Sequence, residues 1–282
     1  MSKPWIFVSP SSRGIGHALT RHLLRTTTLP ILATARSDAA KVKDSILSGL
    51  NDPNPQRTED TASRLAVLPL DVTDEHSIRA AAEQAGQLFP RQTHHLHLGF
   101  ALPGILRIEK KPQQIAYDDA LETLRVNLLG PLMLMKWFGD FLPRKAADLA
   151  SSDAQGRTSQ AGQGIPRHAV WLSVAARVGS TSDNRLGGWY SYRASKAGVI
   201  SAMRSFDLHL KVASAEKAIG IAYHPGTVKT GLSQPFWDKV EQEGKLFSPE
   251  YAAERLMEVV ARTEVERDRG GCLDWKGEVI VP

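Results

Sequence analysis

The chain has one cysteine, Cys272, in 282 residues, so no internal disulfide can form and nothing calls for an oxidising compartment. A reducing cytoplasm is the expected setting. No apolar run approaches the roughly 20 residues of a membrane-crossing helix, and the opening Trp5-Ile6-Phe7-Val8 is too short for the core of a secretory signal. No membrane partner is expected. Charge is not concentrated either: 35 Lys and Arg against 30 Asp and Glu leave a formal +5, but the basic residues are dispersed, whereas a nucleic-acid footprint needs a tract or a face. Nucleic acid is therefore not an expected partner. Acidic residues are missing from the first stretch, where Arg13, Arg21, Arg25 and Arg36 all precede Asp38. That composition suits an organellar leader, a reading set aside because cleavage would remove the glycine-bearing turn described below. His94, His95 and His97 crowd one segment, yet no second cluster completes a ligand set, so no metal is expected.

What is present is alternation. Short β-branched runs at Trp5 to Ser9, Ile31 to Ala35, Leu65 to Leu70, Leu96 to Ala101, Ala169 to Ser173 and Ile219 to His224, with a short last strand near Cys272, read as buried strands. Helical patterns lie between them, at Gly14 to Leu24, Ala39 to Leu50, Glu75 to Leu88, Tyr117 to Phe141, Tyr192 to Val212 and Pro249 to Val260, with Asp74 and Ser248 as N-caps. This order predicts one α/β domain over 1–282, a parallel sheet covered by helices on both faces. The proline-bearing stretch 51–60 and the Ala/Ser/Gln/Gly-rich stretch 143–166 have no apolar period, and both read as surface loop insertions. The residues from Arg107 to Lys111 read as a solvated loop.

Directly after the first strand comes Ser9-Pro10-Ser11-Ser12-Arg13-Gly14-Ile15-Gly16, and a helical pattern starts at once. Small residues at such a turn let a pyrophosphate approach the backbone and the positive helix end. The second strand ends Ala33-Thr34-Ala35-Arg36, without the acid that would accept from an adenosine ribose. Arg36, with Arg13, suits a 2′-phosphate instead, so the expected cofactor is NADP(H). Asp71 and Val72, after the third strand, are placed to contact adenine. Pro225, Gly226, Val228 and Thr230, after the sixth, form a turn for the nicotinamide carboxamide.

Tyr192-Arg193-Ala194-Ser195-Lys196 opens a helical pattern, and residues four apart share a helix face. A phenol with an ordinary pKa near 10 needs a nearby cation to exchange protons at neutral pH, and Lys196 supplies one. Ser173, at a strand end, offers a hydroxyl to a substrate oxygen, with Ser180 as the alternative. Asn127 interrupts an apolar helix and needs buried partners, which a water leading to Lys196 would satisfy. Phe236 and Trp237, within Leu232 to Phe247, are positioned for a lid or for packing.

Together these residues resemble the short-chain dehydrogenase/reductase superfamily from Trp5 to about Pro249, and Arg185 to Lys196 with Leu273 to Gly277 resemble its C-factor-like branch, which includes carbonyl reductases. The resemblance implies a Rossmann-type doubly wound fold. It also implies an Asn127, Ser173, Tyr192, Lys196 catalytic tetrad, cofactor contacts from Pro103, Gly104, Tyr192 and Lys196, and an NADPH-dependent reduction of a ketone or aldehyde. A homodimer or homotetramer is implied as well, built through the helix from Tyr117 and the one after Tyr192. The sequence departs from that pattern at Pro10, where the family has glycine, and at Ala101-Leu102-Pro103-Gly104, where it has Asn-Asn-Ala-Gly. A cofactor-binding sensor on the same fold is the alternative these departures raise.

Overall fold

The strands owe their place to continuous apolar runs that must be hidden on both faces. In the computed structural model, which describes residues 1–50, 55–149, 164–242 and 244–282, they form one seven-stranded, wholly parallel sheet. In chain order the elements are β1 (Lys3–Ser9), α1 (Gly14–Thr26), β2 (Ile31–Ala35), α2 (Ala39–Leu47), α3 (Pro55–Ser63), β3 (Leu65–Pro69), α4 (Glu75–Leu88), β4 (His94–Ala101), α5 (Tyr117–Leu124), α6 (Gly130–Phe138), β5 (Ala169–Val174), α7 (Tyr190–Ala213), β6 (Ala218–His224), β7 (Thr227–Val228), α8 (Trp237–Gln242), β8 (Leu246–Phe247), α9 (Pro249–Ala261), α10 (Val265–Asp268) and β9 (Cys272–Asp274). The sheet order is β3-β2-β1-β4-β5-β6-β9, with β7 and β8 pairing separately. Chain order therefore reverses beside β1, and the carboxyl ends of β1 and β4 are the position where open α/β sheets bind ligands in a crevice.

Alternation along each strand sorts side chains into two apolar layers. Trp5, Phe7 and Trp171 face α4, α6 and α7, while Ile6, Val8 and Leu172 face α1 and α9. Phe7 stacks on Phe138 with ring centroids 4.1 Å apart, and Trp5 on Phe89 at 4.6 Å. Both predicted caps form: Asp74 accepts from the His76 amide and Ser248 from the Tyr251 amide. No helix among the described residues is long and apolar enough to cross a membrane.

Two expectations need correction, and a third reaches only the described flanks of its segment. Of the predicted loop 51–60, residues 51–54 lie outside the described ones, but Pro55–Ser63 is a helix; Pro55 occupies a first-turn position where its missing N–H costs nothing, and a helix whose only apolar residues are Pro55 and Ala62 leaves no apolar period to read. Of the loop 143–166, residues 150–163 lie outside the described ones, and the flanks are tied down. Lys217 Nζ donates to the carbonyls of Lys145 and Ala147, and the Pro166 carbonyl meets His97 Nε2 at 2.8 Å. The predicted helix Tyr117 to Phe141 is interrupted by a π turn at Arg125–Leu129. Such turns widen the hydrogen-bond ladder and redirect side chains; this one carries Asn127.

The β4 histidines are used internally. His95 Nε2 lies 3.3 Å from His97 Nδ1, and burial pushes His95 down to about 3, with His97 and His94 adding to the shift.

Candidate functional site

The turn after β1 is shaped by two glycines and by serines that face inward. A Cβ on Gly16 would lie 1.9 Å from the Pro10 carbonyl oxygen, so no side chain fits between this helix turn and the loop. Gly14 has φ +59, where L residues are strained, and it faces Thr230 across the crevice. Ser9 and Ser11 are fully buried. Ser9 Oγ accepts from Thr34, Ser11 Oγ donates to the Val8 carbonyl, and the Ser11 amide donates to the Thr34 carbonyl. Their hydroxyls thus brace the turn against β2, which leaves the exposed Ser12 and the first amides of α1 to face a ligand. The helix has no side-chain cap and no acid in its first turn, so its positive end is unquenched. Arg13 and Arg36 are exposed and form no ion pair among the described residues. Asp71 is partly buried, which alone would raise its pKa. Bonds from the Thr73 amide and hydroxyl, with Arg36 and Arg125 nearby, hold it below the ordinary carboxylate range. Val72 packs on Gly130, where a Cβ would come within 3.1 Å.

At the other end of the crevice, Tyr192 and Lys196 lie on the first turns of α7, both buried. Lys196 Nζ donates to the Val174 carbonyl at 2.8 Å and sits 5.9 Å from the Tyr192 ring centroid. Burial pushes the phenol up to about 12 and the ammonium down to about 7. Gly104 forms the floor: a Cβ there would stand 3.8 Å from Lys196 Nζ and 3.5 Å from Leu232. Pro103, next to it, and Pro225 are both buried. Gly226 has φ +75 and packs on Phe247 and Trp275, and Thr230 beyond it faces the turn at Gly14.

Asn127 is fully buried, with its amide committed. Nδ2 donates to the Ile105 carbonyl at 2.9 Å and to Ser195 Oγ at 3.1 Å, and Oδ1 accepts from the Ile105 amide at 2.8 Å. It ties the segment after β4 to α7 one residue before Lys196, rather than leading directly to the amine.

Ser173 is not brought to the pair, which corrects the expectation for its hydroxyl. Oγ accepts from Trp171 Nε1 at 3.3 Å and lines a gap between α6 and α7 with Pro131, Val199 and Met203. Val199 lies two helical turns beyond Tyr192, roughly 10 Å. The reason is strand alternation: Ser173 shares the inner face with Trp171 and Ala175. The segment that Lys196 grips at Val174 continues as Ala175-Ala176, without a hydroxyl. Ser180 does not replace it, since its Oγ donates to the Val281 carbonyl and accepts from the Asp183 amide.

Two groups escaped the sequence reading. His224, at the end of β6, has a buried Nδ1 with no partner among the described residues and is pushed down to about 4 by burial, with Arg177 adding to the shift. The segment Arg107 to Lys111 is not solvated throughout: Glu109 is 2% exposed and bonds Ser191. Only its side-chain spacing to α7, invisible in sequence, identifies it. The lid residues join the site through Phe236, whose ring lies 5.1 Å from Trp189, itself edge-on to Tyr192 at 6.3 Å. Trp237 instead donates to Ser233.

No family model matches the sequence. A curated relative, the 1-hydroxy-2-glutathionyl-2-methyl-3-butene dehydrogenase of Rhodococcus sp. (strain AD45), is 25% identical over 253 residues, 89% of this chain and 88% of that protein. The C-signal protein of Myxococcus xanthus is 29% identical over 121 residues, 43% of this chain and 58% of that protein. Among solved structures, the NADPH-bound carbonyl reductase from chicken fatty liver superposes over the whole of both chains with a TM-score of 0.76 at 24% identity.

Proposed function

We propose that the chain is a short-chain dehydrogenase/reductase, a reading its fold and curated relatives support, and that it is an NADPH-dependent oxidoreductase that reduces a ketone or aldehyde to an alcohol. One observation carries this reading: a buried lysine and a buried tyrosine, one turn apart, share one end of the sheet with a glycine-walled turn flanked by two exposed arginines. The residues fit the dinucleotide. Gly14 and Gly16 let the start of α1 lie close under the turn, where its free amides can meet phosphates, Arg13 and Arg36 suit a 2′-phosphate, and His224 Nδ1, at the carboxyl end of β6, is buried without a hydrogen-bond partner among the described residues. When bound, the cofactor supplies the hydride.

The protein's own part is the proton. Tyr192, with its pKa raised, is protonated throughout the neutral range and donates to the carbonyl oxygen as charge develops there. Lys196, when charged, stabilises the phenolate that remains. Asn127 holds the Ile105 segment and α7 in register. Burial excludes water and strengthens each of these interactions. With Ala175 and Ala176 beyond Val174, no hydroxyl from β5 assists the phenol, which gives the alternative of a weakly active NADP(H) sensor its one specific support. Assembly into two or four copies belongs to the same reading and is supported by exposed Leu121, Leu129, Leu208 and Val212 on α5 to α7.

Tyr192→Phe tests the mechanism. NADPH should bind the variant as it binds the parent, while carbonyl reduction falls about 10²–10⁴-fold, the range for loss of a general acid. Turnover that survives the change removes Tyr192 from the mechanism, and NADPH binding without reduction of any carbonyl in a broad panel favours the sensor.

A further inference from the structure

The helix that carries Tyr192 begins without a cap of its own. Trp189, at the N-cap position, makes no side-chain bond to the helix, and its φ of 52 lies in a region that a bulky L residue occupies only under constraint. The missing partner comes from a loop 82 positions earlier. One carboxylate oxygen of Glu109 accepts from the Ser191 amide at 2.7 Å and the other from the Ser191 hydroxyl at 2.8 Å, and the Glu109 carbonyl accepts from the Trp189 amide at 2.6 Å. The side chain is almost wholly buried and forms no ion pair among the described residues. Its charge is met by the positive end of α7.

The rest of the loop is gripped from the opposite side. The Arg193 guanidinium donates to the carbonyls of Gly187, Gly188 and Val178, and Gly188, with φ +69, leaves only 3.2 Å between a would-be Cβ and the Glu109 carbonyl oxygen. Trp189 is thereby fixed between two clamps, with its ring against both Tyr192 and Phe236.

We propose that Glu109 is a positioning residue. It closes the first turn of α7 and so sets the direction of the Tyr192 phenol and the Trp189 wall against a bound carbonyl. This rests on the reading of Tyr192 as proton donor. The phosphate-binding turn lies on a different helix, α1, so the clamp acts on turnover and not on cofactor affinity.

The test compares Glu109→Ala and Glu109→Gln with the parent in three measurements: NADPH affinity, steady-state reduction of 4-nitrobenzaldehyde, and hydrogen exchange over residues 187–193. Glu109→Ala should lower kcat about tenfold or more, as displaced catalytic groups do, leave the NADPH dissociation constant within about twofold, and speed exchange at the Ser191 amide. Glu109→Gln, which keeps an acceptor for that amide, should recover most of kcat and of the protection. The proposal is overturned if Glu109→Ala keeps parental kcat and protection, if Gln fails to restore them, or if NADPH binding falls in step with turnover. Tyr192→Phe run in parallel separates the two ideas. Should it retain turnover, the proton-donor reading fails, and the exchange data still decide whether Glu109 closes the helix.

Discussion

At one end of the crevice the turn Ser9–Gly16 presents mainly backbone; at the other the first turns of α7 present side chains. The hydroxyls of the first region, Ser9 and Ser11, are buried and spent on bracing β1 against β2, and what faces outward is amide groups and two exposed arginines. In the second region Tyr192, Lys196 and Asn127 are buried, and Lys196 and Asn127 are bonded to β5, the β4–α5 loop and α7. A backbone site depends on the absence of side chains, whereas a side-chain site depends on the scaffold that aims it. Substitutions should therefore fail for different reasons at the two ends.

The largest effect on cofactor affinity is expected from adding one methyl group to the backbone site. Gly16→Ala drives a Cβ into the Pro10 carbonyl at 1.9 Å, and relief requires the phosphate turn to move. Overpacking of this kind costs about 1–3 kcal/mol, and NADPH affinity should fall by up to about 100-fold, read by titration. An unchanged dissociation constant would mean that the turn does not hold the phosphates and would erase the contrast between the ends. A smaller effect is expected at the exposed arginine beside it. Arg36→Ala removes one charge-assisted contact, about 1.5–3 kcal/mol before discounting for solvent, so NADPH should weaken about tenfold with NADH unaffected. Equal losses for both cofactors would remove the 2′-phosphate from the argument.

The same contrast explains how much of the molecule could be read from its sequence. Strand runs such as Ile31–Ala35 and the caps Asp74 and Ser248 are local signals, and they fall where propensity and patterning place them. The Tyr192–Lys196 pairing was also legible, because helical spacing alone puts the two on one face. Asn127 was legible as a buried amide in need of partners, but its partners, Ile105 and Ser195, come from segments 22 and 68 positions away. Glu109 gave no signal at all: among Arg107, Lys110 and Lys111 it looks like part of a solvated charged loop, and only the tertiary approach of α7 buries it. The helix at Pro55–Ser63 was missed for a related reason, since a helix with no apolar stripe has no period to find.

Ser173 sharpens the comparison further, because it is a side chain at the chemical end that behaves like the serines at the phosphate end. A strand-end serine near a Tyr–Lys pair satisfies every rule of position, yet strand alternation turns Oγ inward to accept from Trp171 Nε1. Ser173→Ala should cost about 1 kcal/mol of stability, the ordinary worth of one hydrogen bond, seen as a lower melting temperature, with kcat for carbonyl reduction within about twofold of the parent, far short of the 10²-fold or greater loss expected of a catalytic hydroxyl. The complementary change, Ala176→Ser, puts a hydroxyl in the segment that Lys196 grips and should raise kcat. If Ser173→Ala abolishes turnover while the protein stays folded, the inward geometry is wrong and the hydroxyl belongs with Tyr192. If neither change moves kcat, the phenol and the buried lysine act without a hydroxyl from β5, and the chemical end is reduced to the pair on α7 and the contacts that aim it.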